Sequence, residues 1–155
     1  MYLDKQTFTT IIDSTPLVSI DLLVENSQGQ ILLGLRNNRP AQGFWFVPGG
    51  RILKNESLKQ AFSRLCSEEL GIEASLESAK SIGIYEHFYS DSVFGDEIST
   101  HYVVLAFKIS VEQEFATLPK LQHSDYAWFK PNEALIDESV HTHTKWYLTS
   151  TSESV

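Results

Sequence analysis

The segment PGGRILKNESLKQAFSRLCSEELGI, residues 48–72, joins a proline–glycine–glycine turn to a helical pattern that closes with two adjacent glutamates. Glycine lets a backbone approach an anion closely, and the start of a helix presents free N–H groups to such a ligand. Gly71 is a suitable residue just beyond a helix end. The segment therefore predicts a ligand-binding turn followed by a helix over residues 57–70.

The predicted helix is amphipathic. Successive residues advance by about 100° around a helix axis, so one face carries Leu58, Ala61, Phe62, Leu65 and Cys66. That face is expected to pack in the core. Glu69 projects within roughly 20° of Leu58, where a carboxylate is costly unless it is paired or binds a metal. Either Glu69 curls into solvent at a frayed helix end or it is a ligand, and the preceding glycine turn favours the ligand.

Composition bounds the class of protein. The chain has 155 residues, of which 42% are hydrophobic, and this predicts one globular domain over residues 1–155. The net charge of -8 argues against nucleic acid or an anionic membrane surface as a partner. An anionic small-molecule substrate would need a locally positive site, built from a cation or from clustered arginines.

The cysteine content and the N-terminus bear on the cellular compartment. Cys66 is the only cysteine, which excludes an intrachain disulfide, and its place on the inner helix face predicts a buried, inert thiol. Residues 1–5 lack the features of a signal peptide, and no apolar run reaches membrane-spanning length. These features predict a soluble cytoplasmic protein.

Hydrophobic periodicity on both sides of the segment predicts an α/β sandwich with a mixed sheet. The predicted strands cover residues 17–24, 30–36, 81–89, 101–109 and 125–129. The remaining predicted elements are helices over residues 7–12 and 140–148, a polar loop over 91–100 and a polar tail over 149–155.

The spacing of the segment resembles the Nudix box, a metal-diphosphate motif of hydrolases that act on nucleoside diphosphates linked to another group. Five residues separate Gly50 from Glu56, and seven separate Glu56 from Arg64. Leu65 departs from the box, because the family normally carries a glutamate beside the arginine. GDP-mannose mannosyl hydrolases, an unusual Nudix branch, share this departure. The segments that resemble this branch are residues 36–43, 86–89, 100–105 and 122–126.

The resemblance implies a Nudix α/β/α sandwich and a Mg²⁺-dependent reaction on a sugar nucleotide. The mannosyl hydrolases cleave the C–O bond at the anomeric carbon with inversion, releasing GDP and mannose, whereas ordinary Nudix enzymes cleave a P–O bond. One Mg²⁺ per subunit is implied, held by Glu69, Gln122 and the backbone carbonyl of Gly49. Magnesium prefers oxygen ligands and is commonly shared with substrate phosphates. A homodimer is also implied.

The resemblance also assigns side chains to the substrate. Arg36 and Arg51 would stabilise the charge on the leaving diphosphate. His123 would be the general base that activates water, and Asp21 would hold the sugar or stabilise its cationic anomeric centre. The residues further implied in the substrate pocket are Phe8, His87 and Tyr102. For Phe8, ordinary packing is the alternative.

Other interpretations stay open at this stage. A conventional Nudix diphosphatase would use Glu68 with Glu69 and cleave a P–O bond, and a catalytically silent module would bind a nucleotide sugar without turnover. The sequence does not separate guanine from another base, or mannose from glucose. Asp21 would face solvent if simple strand alternation held. The histidines without acidic partners at ligand spacing, which we expect to be structural or exposed, are His101, His141 and His143.

Overall fold

The computed structural model describes residues 3–112 and 123–149, with the side chains of residues 123 and 124 outside this description. The helices in these residues are α1 Lys5–Ser14, α2 Leu58–Leu65, α3 Pro131–Ile136 and α4 Thr142–Trp146, with a π-helical turn at Cys66–Leu70 and a 3-10 turn at Leu76–Ser78. The strands are β1 Leu17–Glu25, β2 Ile31–Arg36, β3 Trp45–Phe46, β4 Gly49–Arg51, β5 Lys80–Tyr89, β6 Thr100–Ser110 and β7 His123–Phe129.

The strands described form one mixed sheet around β1. β1 runs parallel to β6, with Ile20 opposite Leu105, and antiparallel to β2 and β4. β2 also pairs with β3 and β7, and β5 pairs with β6. β1 is central because its side chains are buried almost throughout, as expected of a strand that is covered on both faces. The predicted α/β sandwich with a mixed sheet is confirmed.

Side-chain alternation along β1 separates two apolar cores. Leu22 packs with Phe62 and Leu65 of α2, whereas Leu23 packs with Tyr147, which follows α4. Successive side chains of a strand point to opposite faces, so Asp21 shares the face of Leu23. The carboxylate of Asp21 is therefore directed towards the C-terminal part of the chain rather than towards α2.

Most of the predicted apolar face of α2 is buried, but the prediction for Leu58 is wrong. Leu65 and Cys66 are buried, and burial raises the pKa of the Cys66 thiol to about 11, as expected of an inert thiol. Leu58 is 44% exposed. It is the first residue of α2, one turn before the buried residues begin at Ala61. A helical projection gives the direction of a side chain around the axis, and says nothing about how far along the axis the helix is covered.

The end of the predicted helix is a π-helical turn that stops at Gly71, where φ is +68°. This left-handed conformation suits glycine, which has no Cβ. The predicted end at Leu70 is confirmed. π-helical turns are rare and occur frequently at functional sites, and this one carries the two adjacent glutamates.

The C-terminal region differs from the single predicted helix over residues 140–148. The predicted helix is observed as the shorter α4, because Val140 instead bridges to Trp45 at the sheet, and α3, which Pro131 begins, is an additional helix that was not predicted. His141 then caps α4, its Nδ1 accepting a hydrogen bond from the backbone N–H of His143. In the described part of the chain, no helix has the length and apolar character needed to cross a membrane.

Candidate functional site

A cavity of about 300 Å³ opens beside β1 and β4. The sequence-predicted site residues that line it are Phe8, Asp21, Arg36, Gly49, Arg51, His87 and Tyr102. These residues come from α1 and from five different strands. Their convergence on one cavity depends on the order of the strands in the sheet.

The two glycines of the turn are required by close packing. A Cβ on Gly49 would lie 2.3 Å from the Ile20 carbonyl oxygen and 2.7 Å from Asp21 Oδ1. A Cβ on Gly50 would lie 2.6 Å from Leu65 Cδ2. The turn therefore passes between β1 and α2 with no room for a side chain on either side. Leu65, at the position where the box departs from its pattern, forms the wall behind Gly50.

We expect Leu65→Glu to destabilise the protein by several kcal/mol rather than to create a diphosphatase. Leu65 is buried against Gly50, so a glutamate there would be ionised without a partner or would be forced to stay protonated. Leu58→Glu, on the exposed start of the same helix, is the matched control and should cost little. Urea unfolding of both variants tests this. A Leu65→Glu protein as stable as the parent, with rapid release of nucleoside monophosphate, would contradict it.

Glu56 and Arg64 clamp the loop that joins β4 to α2. Arg64 Nε donates to Glu56 Oε2 at 2.6 Å, and Arg64 Nη2 donates to the Arg51 carbonyl at 2.9 Å. Glu56 Oε1 accepts from the Leu53 backbone N–H at 2.9 Å. The Arg64 guanidinium lowers the pKa of Glu56, which therefore stays ionised. The spacing of the motif identified Glu56 and Arg64 but did not indicate what they do. In the structure, their contacts fix the loop that follows the glycine turn.

The adjacent glutamates have different surroundings. Glu68 is exposed and accepts a hydrogen bond from Arg64 Nη1 at 3.0 Å. Glu69 is only 7% exposed, and burial together with the charge of Glu68 raises its pKa to about 7, against the opposing effect of Arg36 and Arg64. The prediction that Glu69 is a buried carboxylate is confirmed, and the alternative of a side chain curled into solvent is wrong.

Of the predicted metal ligands, Gly49 lines the cavity, whereas Glu69 is not among its lining residues, although the charge of the cavity residue Arg36 acts on it. In the described residues there is no group of three histidines, cysteines or acids placed to hold a metal by themselves. A buried carboxylate with a raised pKa is nevertheless a group that a nearby cation would stabilise in its ionised form. The predicted set of a carboxylate, a backbone carbonyl and an amide matches the oxygen chemistry of Mg²⁺. Of that set, Gln122 lies outside the described residues.

Each of the two arginines that line the cavity makes a contact that fixes its side chain. Arg36 Nε donates to the Pro40 carbonyl at 3.0 Å. The Arg51 guanidinium carbon lies 4.9 Å from the centre of the Phe8 ring, in a cation–π contact. Phe8 itself packs edge-on against Phe94. Both guanidinium groups remain among the cavity-lining residues, and they supply the local positive charge that a negatively charged chain needs for an anionic ligand.

Asp21 is buried in the middle of β1, so the interpretation by simple alternation towards solvent is wrong. The sheet is covered on both faces, and Asp21 is 7% exposed. Its Oδ2 accepts a hydrogen bond of 2.5 Å from the Tyr147 hydroxyl. Burial raises the pKa of Asp21 to about 7, while the Tyr147 hydrogen bond and the charge of Arg36 act in the opposite direction.

His87 lies in a cluster of rings at the inner end of the cavity. It is buried, its Nε2 lies 3.3 Å from the Tyr147 hydroxyl oxygen, and its ring stacks on His143 with centroids 4.2 Å apart. Burial lowers the pKa of His87 and of His143 to about 3 each, and that of His141 to about 4. His143 is buried and His141 is half-buried, with their ring centroids 4.5 Å apart, and their structural role stays a prediction. His141 also lines a second cavity of about 480 Å³.

The histidine cluster is expected to lower stability in acid. The pKa of His143 is about 3 in the folded protein and about 6.5 in an unfolded chain. Between these values only the unfolded chain binds the proton, so the free energy of unfolding falls as the pH falls below 6.5, by about 2 kcal/mol at pH 5. Urea unfolding at pH 7 and pH 5 should show that His143→Asn loses less stability than the parent. Equal losses would contradict the assignment.

The predicted general base is placed only through its backbone. β7 begins at His123, which lies opposite Arg36 in the register with β2. The strand therefore starts beside a residue that lines the cavity. The side chain of His123 lies outside the described residues, and its catalytic role stays a prediction.

The arrangement of turn, clamp and helix has a match among known families. A family profile described as the NUDIX domain matches residues 15–149. The chain belongs to the NUDIX family. Its fold is also similar to the crystal structure of a MutT protein from Methanosarcina mazei Go1, with a TM-score of 0.70 and 24% sequence identity over 87% of this chain and 92% of that chain.

Two relatives of this Nudix chain have informative names. The low-salt glycan biosynthesis protein Agl8 of Haloferax volcanii is 39% identical over 138 residues, which are 89% of this chain and 83% of that protein. CTP pyrophosphohydrolase of Escherichia coli strain K12 is 32% identical over 123 residues, 77% of this chain and 80% of that protein. Nudix hydrolases act on small nucleotide substrates and generally use a divalent metal such as Mg²⁺.

Proposed function

We propose that this Nudix protein is a Mg²⁺-dependent hydrolase of a GDP-linked hexose, GDP-mannose or GDP-glucose. It would break the anomeric C–O bond and release GDP and the free sugar. The observation that carries the proposal is the convergence of Asp21, Arg36, Arg51, His87 and Tyr102 on one cavity beside the glycine turn. We further propose that residues 1–155 act as one domain within a homodimer.

The diphosphate end of the substrate would lie against the arginines. Arg36 and Arg51 offer planar donor groups that bind phosphate oxygens in pairs and stabilise the charge that gathers as GDP leaves. Glu69, Gln122 and the Gly49 carbonyl would hold Mg²⁺, whose chemistry is to neutralise the diphosphate. Leu65 in place of a box glutamate reduces the number of metal ligands, which suits one metal rather than several.

The sugar end would lie against the inner wall of the cavity. The Asp21 carboxylate would hold the sugar or stabilise positive charge at the anomeric carbon, and His87, which burial keeps neutral, would contact sugar hydroxyls. Burial raises the pKa of Tyr102, so its phenol remains a hydrogen-bond donor. His123 would take a proton from the attacking water on the opposite sugar face, as an inverting reaction requires.

A conventional Nudix diphosphatase is the second candidate. The adjacent Glu68 and Glu69 favour it, and so does the name of the E. coli relative, a CTP pyrophosphohydrolase. The name of the Haloferax relative, a glycan biosynthesis protein, instead supports a sugar-containing substrate. The buried, apolar environment of Leu65 favours the C–O reaction, because it leaves the helix one acid short on the side facing the turn.

Product analysis in ¹⁸O-labelled water tests the proposal. The protein is incubated with Mg²⁺ and each of a panel of nucleotide sugars, and the products are separated and identified by mass spectrometry. We expect GDP and free sugar, with the heavy oxygen in the sugar. Nucleoside monophosphate and sugar 1-phosphate, with the label in a phosphate, would establish the diphosphatase instead. Tight Mg²⁺-dependent binding of GDP without any turnover would indicate a binding module.

A further inference from the structure

The hydroxyl of Tyr147 joins two residues of the cavity that are far apart in the chain. Tyr147 follows α4 and is 7% exposed. Its hydroxyl donates to Asp21 Oδ2 at 2.5 Å, and the same oxygen lies 3.3 Å from His87 Nε2. Both partners line the cavity, whereas Tyr147 is not among its lining residues. Tyr147 therefore supports the site from behind.

The Tyr147 hydroxyl has contacts with Asp21 and with His87, and its single hydrogen determines which of them it donates to. The Tyr147 hydroxyl has one hydrogen, and this hydrogen is directed to the Asp21 carboxylate. While Asp21 is ionised, the hydroxyl oxygen is only an acceptor toward His87, so the 3.3 Å contact is a hydrogen bond when His87 carries its proton on Nε2. His87 is neutral because burial lowers its pKa to about 3, and the pKa of Tyr147 is raised well above its usual value by burial and by Asp21. The network thus selects one tautomer of a neutral imidazole.

The geometry also decides which carboxylate oxygen is held. Asp21 Oδ2 is engaged by Tyr147. Asp21 Oδ1 faces the turn, 2.7 Å from the place where a Cβ on Gly49 would stand. Because the Tyr147 hydroxyl holds Oδ2, the rotation of the carboxylate is restricted and Oδ1 stays directed towards the glycine turn.

We propose that Tyr147 is a positioning residue for the hydrolysis: its hydroxyl aligns the Asp21 carboxylate and selects the His87 tautomer that is presented to the sugar end of the substrate. This inference rests on the proposed function. It adds a residue 126 positions away from Asp21 to the machinery of the site. Groups that orient an active residue matter because the reacting atoms tolerate little misplacement.

Tyr85 provides a matched control for this role. Its ring meets that of Tyr147 edge-on, with centroids 4.7 Å apart, and it is fully buried. Its hydroxyl is buried without a hydrogen-bond partner in the described residues. Tyr85→Phe and Tyr147→Phe are therefore the same chemical change in the same core. The two variants differ in whether the lost hydroxyl touches the site.

The kinetic test compares the two variants on the sugar nucleotide that the parent hydrolyses. We expect Tyr147→Phe to lower kcat by about 10- to 100-fold, the usual loss for a partner that orients an active group. KM should change much less, because Arg36 and Arg51 still hold the diphosphate. Tyr85→Phe should leave both constants near those of the parent. Equal kinetics for the two variants would overturn the proposal.

A double-mutant cycle separates positioning from general support of the fold. If Tyr147 acts through Asp21, then Tyr147→Phe should lower kcat far less in an Asp21→Asn background than in the parent. Additive losses in kcat would mean that Tyr147 acts elsewhere, and they would overturn the proposal.

The tautomer of His87 gives a readout that needs no turnover. ¹⁵N NMR of the imidazole should show the Nε2–H form in the parent and in Tyr85→Phe, and a changed tautomer population in Tyr147→Phe. An Nδ1–H form in the parent, or no difference between the variants, would overturn the proposal. If the parent hydrolyses no nucleotide sugar, the proposed function fails, and the NMR comparison still decides whether Tyr147 sets the tautomer.

Discussion

Glu69→Gln is expected to lower Mg²⁺-supported turnover by about 10²- to 10³-fold, the loss typical of removing one group that stabilises developing charge. The amide keeps the shape of the side chain, so the π-helical turn should remain folded. It lacks the negative charge that attracts a hard cation. The loss should be accompanied by weaker Mg²⁺ binding in a calorimetric titration. Thermal unfolding of the variant would show that the fold is retained.

Glu68→Gln is the matched control for this prediction. Glu68 is the adjacent residue on the same turn, but it is exposed and paired with Arg64. If Glu69 alone is the metal ligand, Glu68→Gln should keep most of the turnover and of the Mg²⁺ affinity. Unchanged Mg²⁺ affinity and rate in Glu69→Gln would refute the metal assignment. Equal losses in both variants would instead favour the diphosphatase mechanism, in which the two glutamates act together.

His123→Gln is expected to lower kcat by about 10²- to 10⁴-fold, the usual contribution of a general base. An imidazole must be neutral to accept a proton from water, so activity of the parent should fall on the acidic side as the imidazole becomes protonated. The variant should show a weaker fall in rate on the acidic side, and any fall that remains is assigned to Asp21 and Glu69, whose pKa values burial raises to about 7. KM should change little, because the arginines and Mg²⁺ still hold the diphosphate. The measurement is the pH–rate profile of the variant beside that of the parent.

His101→Gln controls for the loss of an imidazole as such. His101 stacks on Phe88, and its Nε2 is buried without a partner in the described residues. It is absent from the residues that line the cavity beside β1 and β4. This variant should keep the acidic limb and nearly all of kcat. A persistent limb and near-normal kcat in His123→Gln would remove His123 from the mechanism, whereas a loss confined to KM would make it a phosphate ligand.

Local pattern was sufficient for the turn and for the helix that follows it. The end of the helix at Leu70, the burial of Leu65 and Cys66, and the burial of Glu69 were all predictable. Each depends on residues that are close in sequence, because helical periodicity and glycine chemistry act over one or two turns. The exposed Leu58 marks the limit, since its burial depends on where the helix leaves the sheet.

The family resemblance and the hydrophobic periodicity together predicted most of the residues that line the cavity. They did not predict the hydrogen bonds and contacts that fix these residues in place. The clamp of Glu56 and Arg64 reaches back to the carbonyl of Arg51, which no spacing rule indicates. The late start of α4, at Thr142 rather than at Val140, depends on the bridge between Val140 and Trp45, a contact between residues far apart in the chain. Both the contact of Arg64 with Arg51 and the bridge of Val140 to Trp45 depend on which elements become neighbours in the fold.

Tyr147 shows most clearly what depended on tertiary structure. Residues 48–72 determine by themselves that this chain has a glycine turn, an amphipathic helix and a buried acid, since all three follow from short-range spacing. The hydrogen bond from Tyr147 to Asp21 spans 126 positions. It exists because β1 is central and covered on both faces, so that a buried carboxylate must find a donor on whichever element packs over it. Within the described residues, the packing of the C-terminal region on the sheet supplies that donor.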